Sequence, residues 1–255
     1  MEKSATVIAL AGKGGVGKTS LSAAIVKLLT EAYPNRRILA IDADPAVGLA
    51  TALGIGIPMT VDDIRREIVS AAAAGQNRAA IELLGDARYR IMDALLETDG
   101  FAFLAVGRPE SAGCYCKVNG YLKEVIRLLA EAFDYVVIDG EAGIEQINRR
   151  VMEKVTHLLL VTDASKKGTQ VIAAIRQVAD ELVMYKKIGA IVNRIPDERL
   201  ISRIDTGDIP VLAYIPTDEN LAMYDIEGSK ITELPGDCPV VEGARKVLKE
   251  MEILP

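Results

Sequence analysis

Aromatic side chains are scarce: tryptophan is absent, phenylalanine occurs three times, and aromatics make up 4% of 255 residues. With half the chain hydrophobic and 26% charged, the interior must be built from Ala, Val, Ile and Leu, which describes a globular protein and not a disordered one. Excess positive charge is missing too. A formal net charge of −6 gives no broad attraction to phosphodiesters or anionic lipid, so neither nucleic acid nor a membrane is an expected partner. The apolar stretch from Ala5 to Ala11 is too short to span a bilayer and runs into glycines instead of a small-residue cleavage site, so a cytoplasmic protein is expected. Cysteines number three, and Cys114 and Cys116 are too close together for a secreted disulfide framework. Internal repeats and linkers are also lacking, which leaves one domain over residues 1–255 as the expectation. The single histidine, His157, opens an apolar strand and reads as structural, as does Cys238 beside Pro239.

What is present is alternation. Continuous apolar runs predict buried strands at Thr6–Ala11, Arg37–Asp42, Phe101–Val106, Tyr135–Asp139, Leu158–Thr162, Ile188–Asn193 and Val211–Ile215. Helical periodicity falls between most of them, most clearly from Lys166 to Met184, where Val171, Ile172, Ile175, Val178, Ala179, Leu182 and Val183 make one stripe. The pattern predicts an α/β fold: a doubly wound, mostly parallel sheet with helices on both faces and a ligand site at the carboxyl ends of the strands. Residues 57–100 exceed a plain crossover and carry helical patterns at Val61, Ile64 and Ile68. They read as a helical insertion, either decorating the sheet edge or presenting a surface to a partner.

Between the first strand and its helix stands Gly12-Lys13-Gly14-Gly15-Val16-Gly17-Lys18-Thr19, the full phosphate-binding-loop pattern in its required strand–loop–helix context. Glycines let the backbone bend so that its N–H groups point inward at phosphate oxygens. Lys18 supplies charge to the β- and γ-phosphates, Thr19 offers its hydroxyl to Mg²⁺, and Ser20 is placed for an α-phosphate contact; the helix N-terminus favours the same anions. Lys13 resembles the signature lysine of the MinD, ParA and nitrogenase iron protein group, the deviant Walker A class of P-loop ATPases, where it reaches the nucleotide of the opposing subunit. That resemblance implies ATP-driven homodimerisation. It also makes Asp44 the candidate for orienting the attacking water and Asp42 for the metal shell, while Asp139, ending a clean apolar strand, reads as the second Mg²⁺ carboxylate. Asn193, Arg194 and Pro216 stand where the resembling family contacts adenine. A guanine reader would need a carboxylate where this chain has Pro196, so ATP is expected over GTP.

Cys114 and Cys116 lie between a predicted strand and helix beside Lys117, a setting that favours thiolates. Alone, a C-x-C pair reads more readily as two buried small hydrophobes than as a metal site. Two thiolates leave an ion undersaturated, whereas a symmetric dimer supplies four, enough for tetrahedral Zn²⁺ or square-planar Ni²⁺. Gly107-Arg108 ahead of Gly113-Cys114-Tyr115-Cys116, followed by Ile138-Asp139-Gly140-Glu141-Ala142-Gly143-Ile144-Glu145, resembles the CooC-type accessory ATPases of carbon monoxide dehydrogenase. The resemblance spans nearly the whole chain and implies nickel as cargo and a nickel enzyme as recipient, carbon monoxide dehydrogenase or a relative such as acetyl-CoA synthase. It breaks at Gln146, where that group tends to carry His. Glu141 and Glu145 read equally as switch residues or as solvated and capping carboxylates.

Two other functions use the same class. A spatial regulator of the MinD or ParA kind would carry a basic amphipathic tail or a cationic patch, and the mixed-sign segment from Glu242 to Pro255 offers neither. An iron–sulfur reductase like the nitrogenase iron protein bridges its subunits with cysteines far apart in sequence, unlike the pair here.

Overall fold

The structure, a computed structural model, describes residues 5–44, 46–107, 124, 126–142 and 155–255. Among the described residues, eight strands form one sheet in the order β3-β4-β2-β5-β1-β6-β7-β8. They are β1 (Thr6–Gly12), β2 (Ile38–Asp42), β3 (Leu96–Glu97), β4 (Ala102–Ala105), β5 (Tyr135–Ala142), β6 (His157–Thr162), β7 (Lys187–Ile195) and β8 (Val211–Pro216). All pairings are parallel except that of β3 with β4. The expected strands are all found with their ends moved by a residue or a few. β3 was not foreseen, because two residues are too few to show a period.

Side chains alternate across the sheet, and both faces are buried. Ile8 and Leu10 of β1 join one apolar cluster, with Ile38 and Ala40 of β2, and Ala9 and Ala11 join the other, with Leu39 and Ile41. Helices α1 (Lys18–Ala32), α2 (Gly48–Leu53) and α7 (Pro239–Glu250) cover the first face. Helices α3 (Val61–Ala73), α4 (Asn77–Ala94) and α5 (Lys166–Leu182) cover the second. A further helix, α6 (Glu219–Glu227), follows β8.

Helix α1 sits between the sheet and α7, so it is apolar on most sides: Leu21, Ala24, Ile25, Leu28 and Leu29 are at most 2% exposed. Burying each large aliphatic contributes roughly 1.5–3 kcal/mol, and Leu21→Ala would cost about 2–5. Helix α3 starts on a capping box, in which Thr60 accepts from the Asp63 N–H and Asp63 accepts from the Thr60 N–H. Within the same turn the N–H of Asp62 donates to the Val106 carbonyl and ties α3 to the residue that follows β4. Among the described residues, no helix is long and apolar enough to cross a membrane.

Register then places chemistry. Asp42 of β2 is directly opposite Asp139 of β5, and Asp139 is opposite Leu10 of β1, in one row near the carboxyl ends of the strands.

Candidate functional site

Residues 13–17 connect β1, which ends at Gly12, to α1. Gly12 has φ 155°, and a Cβ there would lie 2.0 Å from the Val161 carbonyl oxygen of β6; Gly17 has φ 89° and its Cβ would meet Asn193 Nδ2 at 2.5 Å. Only glycine fits at position 12, and at position 17 the left-handed backbone favours it. Gly17 caps α1 without a side-chain hydrogen bond, and no acidic residue lies in the first turn, so the helix presents its positive end to a ligand. Lys18 is buried, with Nζ 3.2 Å from the Lys13 carbonyl oxygen.

The carboxylates gather beneath this loop. Asp139 accepts from the Thr19 hydroxyl at 2.8 Å and the Ser22 hydroxyl at 3.0 Å. Asp42 accepts the N–H of Asp44 at 3.0 Å and, on its other oxygen, the N–H of Leu49 at 2.8 Å in α2. Both are 0% exposed. Burial, reinforced by Asp139, pushes Asp42 up to about 7 despite its two backbone donors. Burial pushes Asp139 up to about 6 against the Thr19 and Ser22 hydroxyls and Lys18. Thr19, Asp42 and Asp139 form an oxygen-only set in which two carboxylates repel each other, a disposition that a small divalent cation relieves; the residues fit Mg²⁺. Asp44 is half-buried, and its Oδ1 accepts from the Ala46 N–H at 2.8 Å.

A cavity of about 340 Å³ opens beside the loop, lined by loop residues such as Gly15, Lys18 and Thr19 and by Asp44. Its lining also includes Thr51, Arg194, Tyr224, Asp225 and Ser229. Of the three residues expected at a base, only Arg194 lines this cavity, and its guanidinium donates to the Gly15 carbonyl at 2.7 Å. Asn193 is buried and donates from Nδ2 to the Val16 carbonyl at 2.8 Å, while Pro216 is exposed at the end of β8. The α6 contribution, Tyr224 and Asp225, was missed, since that helix lacks the strong apolar stripe that drew attention elsewhere.

Asp163 was not foreseen either. Asp163, just past β6, holds Lys13: Nζ to Oδ2 is 2.7 Å, and neither side chain is more than 30% exposed. Burial would raise the Asp163 pKa, but Lys13 and the Ser165 hydroxyl and N–H hold it below the usual carboxylate range. Nothing in the sequence marks a contact across 150 positions.

His157 lies at the other end of β6, half-buried beside the Thr156 hydroxyl, and burial holds its pKa low. Cys238 is 3% exposed in the core at the start of α7, and burial pushes its thiol up. Cys114, Cys116, Glu145 and Gln146 lie outside the described residues.

Comparison with known proteins agrees with this geometry. Residues 7–231 match the family described as CobQ/CobB/MinD/ParA nucleotide binding domain. An uncharacterized ATP-binding protein of Methanocaldococcus jannaschii is 33% identical over 96% of this chain and 98% of its own. The carbon monoxide dehydrogenase accessory protein CooC of Rhodospirillum rubrum is 28% identical, covering 91% of each chain. Among solved structures, the septum site-determining protein MinD of Pyrococcus horikoshii, complexed with Mg-ADP, superposes with a TM-score of 0.68 at 22% identity, covering 97% of this chain and 96% of the other.

Proposed function

Because the chain belongs to the CobQ/CobB/MinD/ParA nucleotide-binding domain family, we propose that it is an ATP-driven metallochaperone, a homodimer that binds Ni²⁺ through Cys114 and Cys116 and delivers it to a nickel enzyme. ATP hydrolysis is the activity of its class, and the eight-stranded P-loop fold carries it. In this reading residues 1–255 act as one ATPase domain with the α3–α4 pair as an insertion at about 57–100.

The chain's own groups divide the chemistry among them. Lys18 and the N–H groups of residues 14–20 bind the phosphates. Thr19, Asp42 and Asp139 would hold Mg²⁺, which would supply positive charge to offset that of the phosphates. Asp44, on the cavity wall, orients the attacking water. Lys13 leaves Asp163 and reaches the nucleotide of the second subunit, stabilising charge that develops as the γ-phosphoryl departs. Closing the dimer brings four thiolates together, so nucleotide state and metal affinity are coupled through one arrangement of the two subunits. Zn²⁺ is accommodated by the same thiolates.

The single observation that carries the nickel reading is the Cys114-Tyr115-Cys116 pair in a chain 28% identical to a carbon monoxide dehydrogenase accessory protein over nine-tenths of both lengths. Carbon monoxide dehydrogenase or a relative such as acetyl-CoA synthase is the proposed recipient. The test is metal content and oligomeric state measured together, with and without ATP. One Ni²⁺ or Zn²⁺ per dimer is expected, lost when Cys114 and Cys116 are both changed to Ser. Unchanged tight binding in the double variant would remove the proposal, and an iron–sulfur chromophore in anaerobically purified protein would replace it with the reductase.

A further inference from the structure

The end of β7 departs from a regular strand. Val192 is paired with Tyr214 and Ile195 with Pro216, so three steps along β7 match two along β8. One residue is extra, which is a β-bulge. Within it Arg194 has φ 58°, a left-handed conformation that a bulky non-glycine residue adopts at a steric cost.

That irregularity has a result that a regular strand forbids. Successive side chains of a strand leave on opposite faces of the sheet. Here two successive side chains reach the same loop. Asn193 Nδ2 donates to the Val16 carbonyl at 2.8 Å, and an Arg194 terminal nitrogen donates to the Gly15 carbonyl at 2.7 Å. A trans peptide is planar, with its C=O and N–H pointing in opposite directions. Drawing the carbonyls of residues 15 and 16 toward β7 therefore turns the N–H groups of Val16 and Gly17 the other way.

We infer that Arg194, with Asn193 beside it, is a positioning residue for the phosphate-binding loop: the β7 bulge aims both side chains at consecutive loop carbonyls and so presents consecutive N–H groups to the β-phosphate. The inference deepens the nucleotide-binding reading and rests on it. It differs from a base-contact role, in which Arg194 would act on the purine. Gly17 belongs to the same device, because a side chain there would displace the Asn193 amide. Strain retained at residue 194 is then the consequence of reaching the loop.

Arg194→Gly tests this, since glycine accepts φ 58° freely but has no guanidinium. Nucleotide-free Arg194→Gly should melt at or above the parent's temperature, yet bind ADP and ATP about tenfold or more weakly, the loss expected of one charge-assisted hydrogen bond. The ATP-to-GTP preference should stay the same, and Arg194→Lys should recover part of the affinity. Equal binding by Arg194→Gly and the parent would overturn the inference. So would a fall in melting temperature that parallels the loss of affinity, the mark of a structural role, or a shift toward GTP, the mark of a base contact. A parent protein that binds no ATP would instead sink the nucleotide reading itself.

Discussion

Lys13 Nζ lies 2.7 Å from Asp163 Oδ2, so the lysine whose sequence context points across to a second subunit is held by a carboxylate of its own chain. The contact joins the phosphate loop to the end of β6, two strand ends that flank the site. An ion pair of this kind must open before Lys13 can serve another nucleotide.

Because both partners are partly exposed, at 30% and 28%, the pair holds Lys13 by no more than about 1 kcal/mol. Two such pairs open in each homodimer, so Asp163→Asn should strengthen ATP-dependent dimerisation by up to about thirtyfold, while Lys13→Ala abolishes it. Sedimentation equilibrium across a range of protein concentrations reads both. Weaker dimerisation in Asp163→Asn would mean that the carboxylate serves the closed state and does not restrain it.

Asp139 carries the cost of its burial. A carboxyl whose pKa is raised on folding destabilises the folded chain fully above its folded value, and that penalty is lost as pH falls toward the unfolded value of 3.8. In Mg²⁺-free and nucleotide-free protein, Asp139→Asn should thus be more stable than the parent by up to about 3 kcal/mol at about pH 8, with the gap roughly halved by about pH 5. MgATP hydrolysis should be lost at the same time. Calorimetry at the two pH values decides, and a variant less stable at the higher one would show that the Thr19 and Ser22 hydroxyl bonds outweigh the burial.

Two glycines of one loop should fail differently. At Gly12 a methyl group would be 2.0 Å from a backbone oxygen of β6, which cannot yield without parting β1 from β6. Gly12→Ala should lose at least about 4 kcal/mol or fail to fold. At Gly17 the obstacle is the Asn193 side chain, which can move, so Gly17→Ala should fold with a loss of roughly 1–3 kcal/mol and lose nucleotide affinity. Urea unfolding with parallel ADP titration separates them.

Cys238 offers a clean background for metal work. Buried at 3% exposure, with its thiol pushed up by burial, it should react with an aromatic disulfide only as fast as the chain opens. In Cys114→Ser/Cys116→Ser the native protein should release almost no chromophore within minutes and one equivalent in denaturant. Prompt reaction would place the third thiol within reach of metal and complicate every stoichiometry.

Much of this was legible. The strands were, because a sheet buried on both faces needs unbroken apolar runs such as Tyr135 to Ile138, and the carboxylates that end them stood out by contrast. The loop was, because its glycines and Lys18 sit at fixed offsets. The unread parts depend on tertiary distance or on irregular backbone. Asp163 meets Lys13 from 150 positions away, β3 is two residues long, and the Tyr224–Asp225 wall belongs to a helix whose outward face carries no pattern. Asn193 and Arg194 were recognised as a strand end, but a bulge turns them to the loop, and no spacing rule announces a bulge.

Since Asp42 and Asp139 are neighbours by strand register, their separation is fixed by sheet pairing and not by any contact between the two side chains. Substitutions at flanking positions leave that alignment untouched. A deletion or insertion of one residue between Tyr135 and Ile138 would slide Asp139 by one place and turn it to the opposite face. One apolar residue of β5 can therefore stand in for another at modest cost, whereas a change in the strand's length displaces the carboxylate altogether.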